Sequence, residues 1–326
     1  MEKTSSKRIV MGLAAILVLI FHFWIPMTKA ALIVKAAFIG VDMFFFVSAW
    51  SLGKQKEIEF LPFMKNRLSL VYFPFIVLAI TGCIYSHWSF KKFAFVISSI
   101  DFFKKGGGAF LWYLIAILFV YALTPLLIKI KSRFKWLGLL MMMGFWLVLT
   151  TVLQFVFGYT KIFILLNRLP VFFIALYYKD LQSLIKSKIR LIIALLLTCF
   201  GLYLVYKFGT SIRLNKPFVD FYYIMAIPLV MGVIELIDQV ISVTNYKFWI
   251  LSFIGKITLE IYGLQMIFGY NIEAKLLKVM GKNMSVLVFL ITVLIIIGMA
   301  FVLNILLKLI RTEVSKVIIH LKGEKK

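Results

Sequence analysis

Three ionisable side chains lie inside apolar segments that are long enough to cross a bilayer: His22, Asp42 and Arg168. Ionisable groups are costly at membrane depth and usually face the interior of a helix bundle, so they indicate a functional site. At about 1.5 Å of helix per residue, the three lie about 8, 14 and 10 Å from segment ends on one side of the membrane. A carboxylate beside an imidazole raises its basicity, which suits a general base. We therefore predict that Asp42 orients His22, although the same groups could form a buried ion pair that fixes packing.

The amino-acid composition indicates whether these three residues lie in a soluble or a membrane protein. The chain has 326 residues, of which 63% are hydrophobic and only 15% charged. Its mean hydropathy is +1.02. Soluble domains are usually about 45–50% apolar and about 25% charged. A soluble globule could not cover so large an apolar fraction, so the composition predicts a polytopic membrane protein.

Apolar runs long enough to span a bilayer, at about 20 residues each, recur along the whole chain. They predict an all-α, integral membrane helix bundle of about ten spans within residues 9–310. The predicted spans are 9–27, 32–52, 67–86, 109–128, 136–158, 162–178, 189–207, 219–238, 248–270 and 284–310. Because the gaps are short, we expect a single transmembrane domain over 1–326, with short cytoplasmic tails and no extracytoplasmic soluble domain.

The strong positive charge fits this arrangement better than nucleic-acid binding. Lys and Arg number 37 against 13 Asp and Glu, a formal net charge of +24. Most basic residues lie in the short gaps, with 22 on the side of the termini and 13 on the other. Since basic loops are retained in the cytoplasm, the bias predicts a multi-pass protein of the cell membrane with both termini cytoplasmic. Two cysteines and three histidines form no disulfide framework or metal-ligand motif.

Further polar residues lie inside the predicted spans. Lys256 and Glu260 are spaced i,i+4 on the ninth span and are expected to neutralise each other. Asn167, Tyr262 and Gln265 add hydrogen-bonding groups at membrane depth. The lysines of residues 54–65 could bind phosphate groups, although topology alone predicts basic residues there.

Several motifs occur in the same order as in one family of membrane enzymes. They are Gly12-Leu13-Ala14 leading to Phe21-His22, Gly40-Val41-Asp42 with Phe44-Phe45 and Ser48-Ala49, Phe63-Met64-Lys65-Asn66-Arg67 with Pro74, Leu111-Trp112-Tyr113-Leu114 with Pro125, Arg168-Leu169-Pro170, and Gly255-Lys256-Ile257 with Glu260 and Tyr262. In this order and spacing, over about residues 8–270, the chain resembles acyltransferase family 3, whose members have ten spans.

The resemblance implies transfer of an acyl group, usually acetyl, from cytosolic acyl-CoA to a hydroxyl of a cell-surface polysaccharide or glycolipid. Acyl-CoA is then a co-substrate, no cofactor is bound, and the other partners are the lipid bilayer and a surface glycan or lipid-linked sugar. His22 maps to the base or transient acyl carrier, and Asp42, Arg67 and Arg168 map to other polar positions. Arg168 is expected to stabilise the carbonyl oxygen. The CoA phosphates are expected near Arg8, Lys54, Lys56, Lys65 and Arg67. The substrate pocket is expected to include Ser48, Trp112, Tyr113, Glu260, Tyr262 and Gln265.

Four positions differ from the family pattern. Met11 and Leu70 stand where the family usually has arginines, Gln265 where it often has a histidine, and Ala49 where it has a glycine after the serine. Met11, Leu70 and Gln265 favour an alternative function, a non-enzymatic transporter or flippase of lipid-linked glycans in which buried charges line a passage. A scaffold for envelope assembly is a third possibility.

Overall fold

A computed structural model describes residues 6–23, 36–208, 222–244 and 248–323 and shows an all-α structure, without strands in these ranges. The helices, in chain order, are α1 (Ser6–Phe23), α2 (Ile39–Leu52), α3 (Phe60–Tyr85), α4 (Phe90–Ile97), α5 (Ile100–Lys105), α6 (Trp112–Val156), α7 (Phe163–Leu166), α8 (Leu169–Leu184), α9 (Ser187–Phe208), α10 (Tyr222–Thr244), α11 (Trp249–Ile254), α12 (Thr258–Leu264), α13 (Tyr270–Met280) and α14 (Ser285–Gly323).

The fold confirms a multi-pass membrane helix bundle. Six helices within the described ranges, α1, α3, α6, α9, α10 and α14, are long and apolar enough to cross a membrane, and α2 is a shorter apolar helix. The segment α6 consists of two helical parts that meet at Lys135, whose backbone is not helical (φ 48°, ψ −128°), and the two parts correspond within a few residues to the predicted spans 109–128 and 136–158. The predicted spans 162–178 and 248–270 are each divided into shorter helices. The number of ten crossings stays a prediction. Parts of spans 9–27, 32–52 and 219–238 lie outside the described residues.

Glycines allow the first helix to pack closely against its neighbours. A Cβ added to Gly12 would meet the backbone carbonyl of Leu251, and one added to Gly255 would meet that of Arg8. Gly40 lies against the Ala14 carbonyl in the same way. Small residues at such positions permit close helix approach in a membrane, where van der Waals packing drives association. These contacts fix α1 between α2 and α11 and so set the height of His22 relative to α2.

Two helices widen into π-helical turns next to polar residues of interest. One turn, Leu68–Tyr72, follows Arg67 in α3, and another, Gln265–Gly269, connects α12 to α13. Such turns are rare and frequently occur at functional sites. The second turn also carries the chain from Tyr262 to Tyr270, which faces the end of α1.

Candidate active site

Arg168 and Asp42 form a buried ion pair between the beginnings of α8 and α2. Arg168 Nε lies 3.2 Å from Asp42 Oδ1, and the two side chains are 2% and 0% exposed. Arg168 Nη1 donates to the carbonyl of Ile164 at 2.7 Å. The Tyr223 ring covers the guanidinium, with its centroid 3.6 Å from Cζ. The pair thus joins four parts of the bundle, and its paired charges are held away from lipid.

His22 lies in the last turn of α1 and contacts Tyr270 of α13. Its Nδ1 is 3.3 Å from the Tyr270 hydroxyl. The expectation that Asp42 orients His22 is not met, since the carboxylate is held by Arg168. The reason is the position of α2 along the axis of α1, because Gly40 at the start of α2 packs against Ala14 and Val18. The first turn of α2 therefore lies level with residues four to eight positions before His22, about 6–12 Å deeper along α1.

One cavity nevertheless brings His22 and Arg168 together. It has a volume of about 360 Å³ and is also lined by Trp112 and Tyr262, two of the residues expected in the substrate pocket. The other lining residues are Val18, Phe21, Phe38, Val41, Lys105, Gly107, Thr160, Lys161, Ile164 and Tyr223. An imidazole, a guanidinium and aromatic walls thus share one space, an arrangement suited to proton transfer and to stabilising a developing negative charge.

A series of polar side chains extends from this cavity towards the other end of the bundle. The ring of Tyr262 packs edge-on against Tyr113, with centroids 5.7 Å apart. Ser48 lies beside Tyr113 and accepts a hydrogen bond from Tyr121 at 3.1 Å. The Arg67 guanidinium lies 4.7 Å from the Tyr121 ring centroid. These contacts connect Arg67 to the wall of the cavity through side chains of α2, α3, α6 and α12.

Two predicted pocket residues of the ninth span, Glu260 and Gln265, do not line this cavity. Glu260 accepts a hydrogen bond from Asn304 of α14 at 2.6 Å. The expected neutralisation by Lys256 is not seen among the described ion pairs, because the helix is interrupted between α11 and α12 and Lys256 is exposed there. Gln265 is fully buried, and neither side-chain amide atom has a hydrogen-bond partner among the described residues.

The five predicted phosphate-binding residues do not form one cluster. Lys54 and Lys56 line a pocket of about 860 Å³ beyond the end of α2, whereas Arg8, Lys65 and Arg67 are not among its lining residues. Lys65 is exposed on α3. Arg67 packs against Phe63 and Tyr121 deeper in the bundle. The backbone carbonyl of Arg8 faces α11.

The lysines that the sequence reasoning missed at this pocket are Lys131, Lys135 and Lys179. Lys131 donates to the carbonyls of Gly53 and Leu176, at 2.5 and 2.7 Å, and so fastens α6 to α2 and α8. The left-handed backbone at Lys135 is held by the Tyr177 hydroxyl, which donates to its carbonyl at 2.8 Å. The sequence signal for these lysines is that the basic run 129–135 and Lys179 lie in predicted gaps on the side of the termini, a pattern that topology alone also explains.

One of the three comparisons with known proteins found a match, to a family of membrane enzymes. The family described as "Acyltransferase domain", acyltransferase family 3, matches residues 10–305, which include His22, Asp42 and Arg168. No curated protein and no solved structure matches the chain significantly. The match covers most of the sequence and every element that forms the cavity. The chain therefore belongs to acyltransferase family 3, and the protein is a membrane acyltransferase.

Proposed function

We propose that the protein transfers an acetyl group from acetyl-CoA to a hydroxyl of a cell-surface polysaccharide or glycolipid. The observation that carries the proposal is that His22 and Arg168, from the first and eighth helices, line one cavity. The end of the bundle holding His22 faces the cell exterior in this proposal, and the termini and the lysine-lined pocket face the cytoplasm. The 22-to-13 distribution of basic residues supports that orientation.

His22 acts as the general base in the proposed reaction. With Nδ1–H donating to the Tyr270 oxygen, Nε2 keeps its lone pair and removes the proton from the acceptor hydroxyl. The acceptor oxygen then forms a bond to the thioester carbonyl carbon, and Arg168 stabilises the negative charge on the carbonyl oxygen. The carbon–sulfur bond breaks, and the departing thiolate takes the proton from His22. Asp42 is a positioning residue that holds Arg168.

The lysine-lined pocket is the proposed docking site for the CoA phosphates. It presents Lys54, Lys56, Lys135 and Lys179 together. Twelve residues of nearly continuous helix separate Asp42 from Lys54, about 18 Å at 1.5 Å per residue. The extended pantetheine arm of CoA is of comparable length. The polar contacts from Arg67 through Tyr121 and Ser48 support a route for the acyl group between the two sites.

The alternative, a non-enzymatic transporter or flippase of lipid-linked glycans, is favoured by Met11, Leu70 and Gln265. One observation weakens it: Arg311 Nη2 lies 3.4 Å from the Leu70 carbonyl, so another guanidinium is present beside that turn. Arg8 likewise lies three residues before Met11 on the same helix face.

Two experiments on the purified protein distinguish acetyl transfer from glycan transport. Acetyl-CoA should raise its thermal unfolding temperature, and liposomes holding the protein should move label from [¹⁴C]acetyl-CoA onto an added envelope glycan fraction. Stabilisation by an undecaprenyl-linked sugar without any effect of acetyl-CoA, and with no transferred label, would instead support transport. Any transfer of label in the liposomes would exclude a catalytically inactive scaffold for envelope assembly.

A further inference from the structure

The cavity that holds His22 has an excess of positive charge at its described walls. Lys105, Lys161 and Arg168 line it, and no aspartate or glutamate occurs among its described lining residues. Removing a proton from a neutral sugar hydroxyl requires a base and an oxyanion partner, which His22 and Arg168 supply. Two additional lysines at the cavity therefore call for a separate explanation.

The three cations differ in what neutralises them. Arg168 is paired with Asp42. Lys105 forms an ion pair with Asp101 one helical turn earlier, at 2.6 Å. Lys161 is exposed, and within the described ranges no carboxylate forms an ion pair with its side chain. Its ammonium group is thus available to a ligand at this cavity.

The backbone holds Lys161 beside Lys105 rather than leaving it on a free loop. Gly106 adopts a left-handed conformation (φ 57°), and a Cβ at this position would clash with the Lys161 carbonyl. The Tyr159 hydroxyl donates to the carbonyl of Phe103 at 2.6 Å, which fastens the same segment to α5. Both lysines therefore approach the cavity from one wall, which these contacts hold in place.

We propose that the acyl acceptor is anionic and that Lys161, assisted by Lys105, binds a phosphate group of it at this wall. This inference rests on the proposed acyltransferase function. A clustered positive potential raises the local concentration of anionic substrates, and lysine binds phosphate as a point charge. The phosphate is not altered in the reaction; it positions a neighbouring hydroxyl towards His22. Its source is either a phosphodiester-linked glycan or a lipid-linked sugar phosphate.

The test uses the full-length protein in its membrane. Cells expressing it are labelled with [¹⁴C]acetate, and the ester-linked label of envelope glycans is separated by anion exchange before and after hydrofluoric acid cleavage of phosphodiesters. We expect His22-dependent label in the retained fraction, released to the neutral fraction by the acid. Extraction into chloroform–methanol identifies the lipid-linked source, and label left in the polymer identifies the phosphodiester glycan.

Variants that change the charge of Lys161 test whether the retained, anionic ester label depends on that residue. Lys161→Glu should lower the retained label about ten-fold, equivalent to about 1.4 kcal/mol of binding, whereas Lys161→Arg keeps the charge and should retain it. Lys91→Glu, an exposed lysine of α4 that does not line the cavity, is the matched control.

The outcomes separate this inference from the function on which it rests. Ester label that elutes as neutral, or that remains anionic after acid cleavage because of carboxylates, overturns the phosphate acceptor while leaving acyl transfer intact. Equal label in Lys161→Glu and wild type, at equal protein amounts, overturns the role of Lys161. Absence of any His22-dependent ester label overturns the proposed function itself.

Discussion

Asp42 forms an ion pair with Arg168 and not with His22. The Asp42 carboxylate lies 3.2 Å from the Arg168 Nε, and both side chains are almost completely buried. His22 instead meets the Tyr270 hydroxyl. The site thus contains two separate polar units, a charge pair that stabilises the packing of α2 against α8 and an imidazole supported by a phenol. Each unit leads to a different expected mutant behaviour.

Asp42→Asn should destabilise the protein strongly, because it leaves Arg168 charged and unpaired in the bundle. Breaking a buried ion pair from one side costs about 3–5 kcal/mol. Thermal unfolding of the detergent-purified variant measures this loss. Asp180→Asn is the matched control, since Asp180 is itself 50% exposed beside its partner Lys131, and Lys131 keeps its hydrogen bonds to two backbone carbonyls. Pairs with an exposed carboxylate contribute about 1 kcal/mol or less. Equal unfolding temperatures for the two variants would contradict the assignment.

Tyr270→Phe should lower acetyl transfer about ten-fold without a comparable loss of stability. The substitution removes only the hydroxyl that faces His22 Nδ1, and Tyr270 is half exposed. A single hydrogen bond that orients a catalytic group is worth about 1 kcal/mol or somewhat more. The comparison is Tyr85→Phe, which removes a hydroxyl bonded to Asn271 instead. A transfer rate in Tyr270→Phe equal to that of Tyr85→Phe would show that the phenol does not support His22.

Gly12→Ala should destabilise the protein by about 1–3 kcal/mol, the usual cost of overpacking a close contact. The added Cβ would press on the Leu251 carbonyl and move α1 away from α11. Gly144→Ala in α6, where an added Cβ meets nothing within 4 Å, should be neutral or stabilising because alanine favours a helix. Chemical unfolding in detergent compares the two. Similar effects of both variants would mean that α1 and α11 are not in close contact.

The lysine-lined pocket should bind the phosphates of acetyl-CoA, the proposed acyl donor. Lys54→Glu combined with Lys56→Glu should raise the KM for acetyl-CoA about ten-fold with little change in kcat, because the charges contact phosphates remote from the reacting carbon. Lys65→Glu should leave KM unchanged, since Lys65 lies outside the pocket. Initial rates in inside-out vesicles give both constants. A larger effect of Lys65→Glu would move donor binding to the Lys65–Arg67 segment.

The fold class, the family and part of the candidate site could be predicted from the sequence alone. The polytopic helical fold followed from composition, and the ordered motifs identified the family. The depths of His22 and Arg168 placed them in one layer, as they are in the cavity. Depth alone could not decide which of them Asp42 would contact, because that depends on how Gly40 seats α2 against α1.

The lysine-lined pocket was harder to predict for a similar reason. Lys131, Lys135 and Lys179 join Lys54 and Lys56 only because α6 turns at Lys135 and is fastened to α2 and α8. The expected ion pair between Lys256 and Glu260 is not among those described, because i,i+4 spacing brings side chains together only on a continuous helix. The chain has a break at that point.

The central claim, that His22 performs proton transfer in an acyltransferase, is tested most directly by acetyl transfer in liposomes holding wild-type, His22→Ala or His87→Asn protein. His87 is the matched histidine outside the cavity, and asparagine tolerates its left-handed backbone. We predict that His22→Ala loses at least about 100-fold in transfer, the usual contribution of a general base. His87→Asn should stay at the wild-type rate. Transfer by His22→Ala at the wild-type rate, with normal protein amounts, would contradict the account.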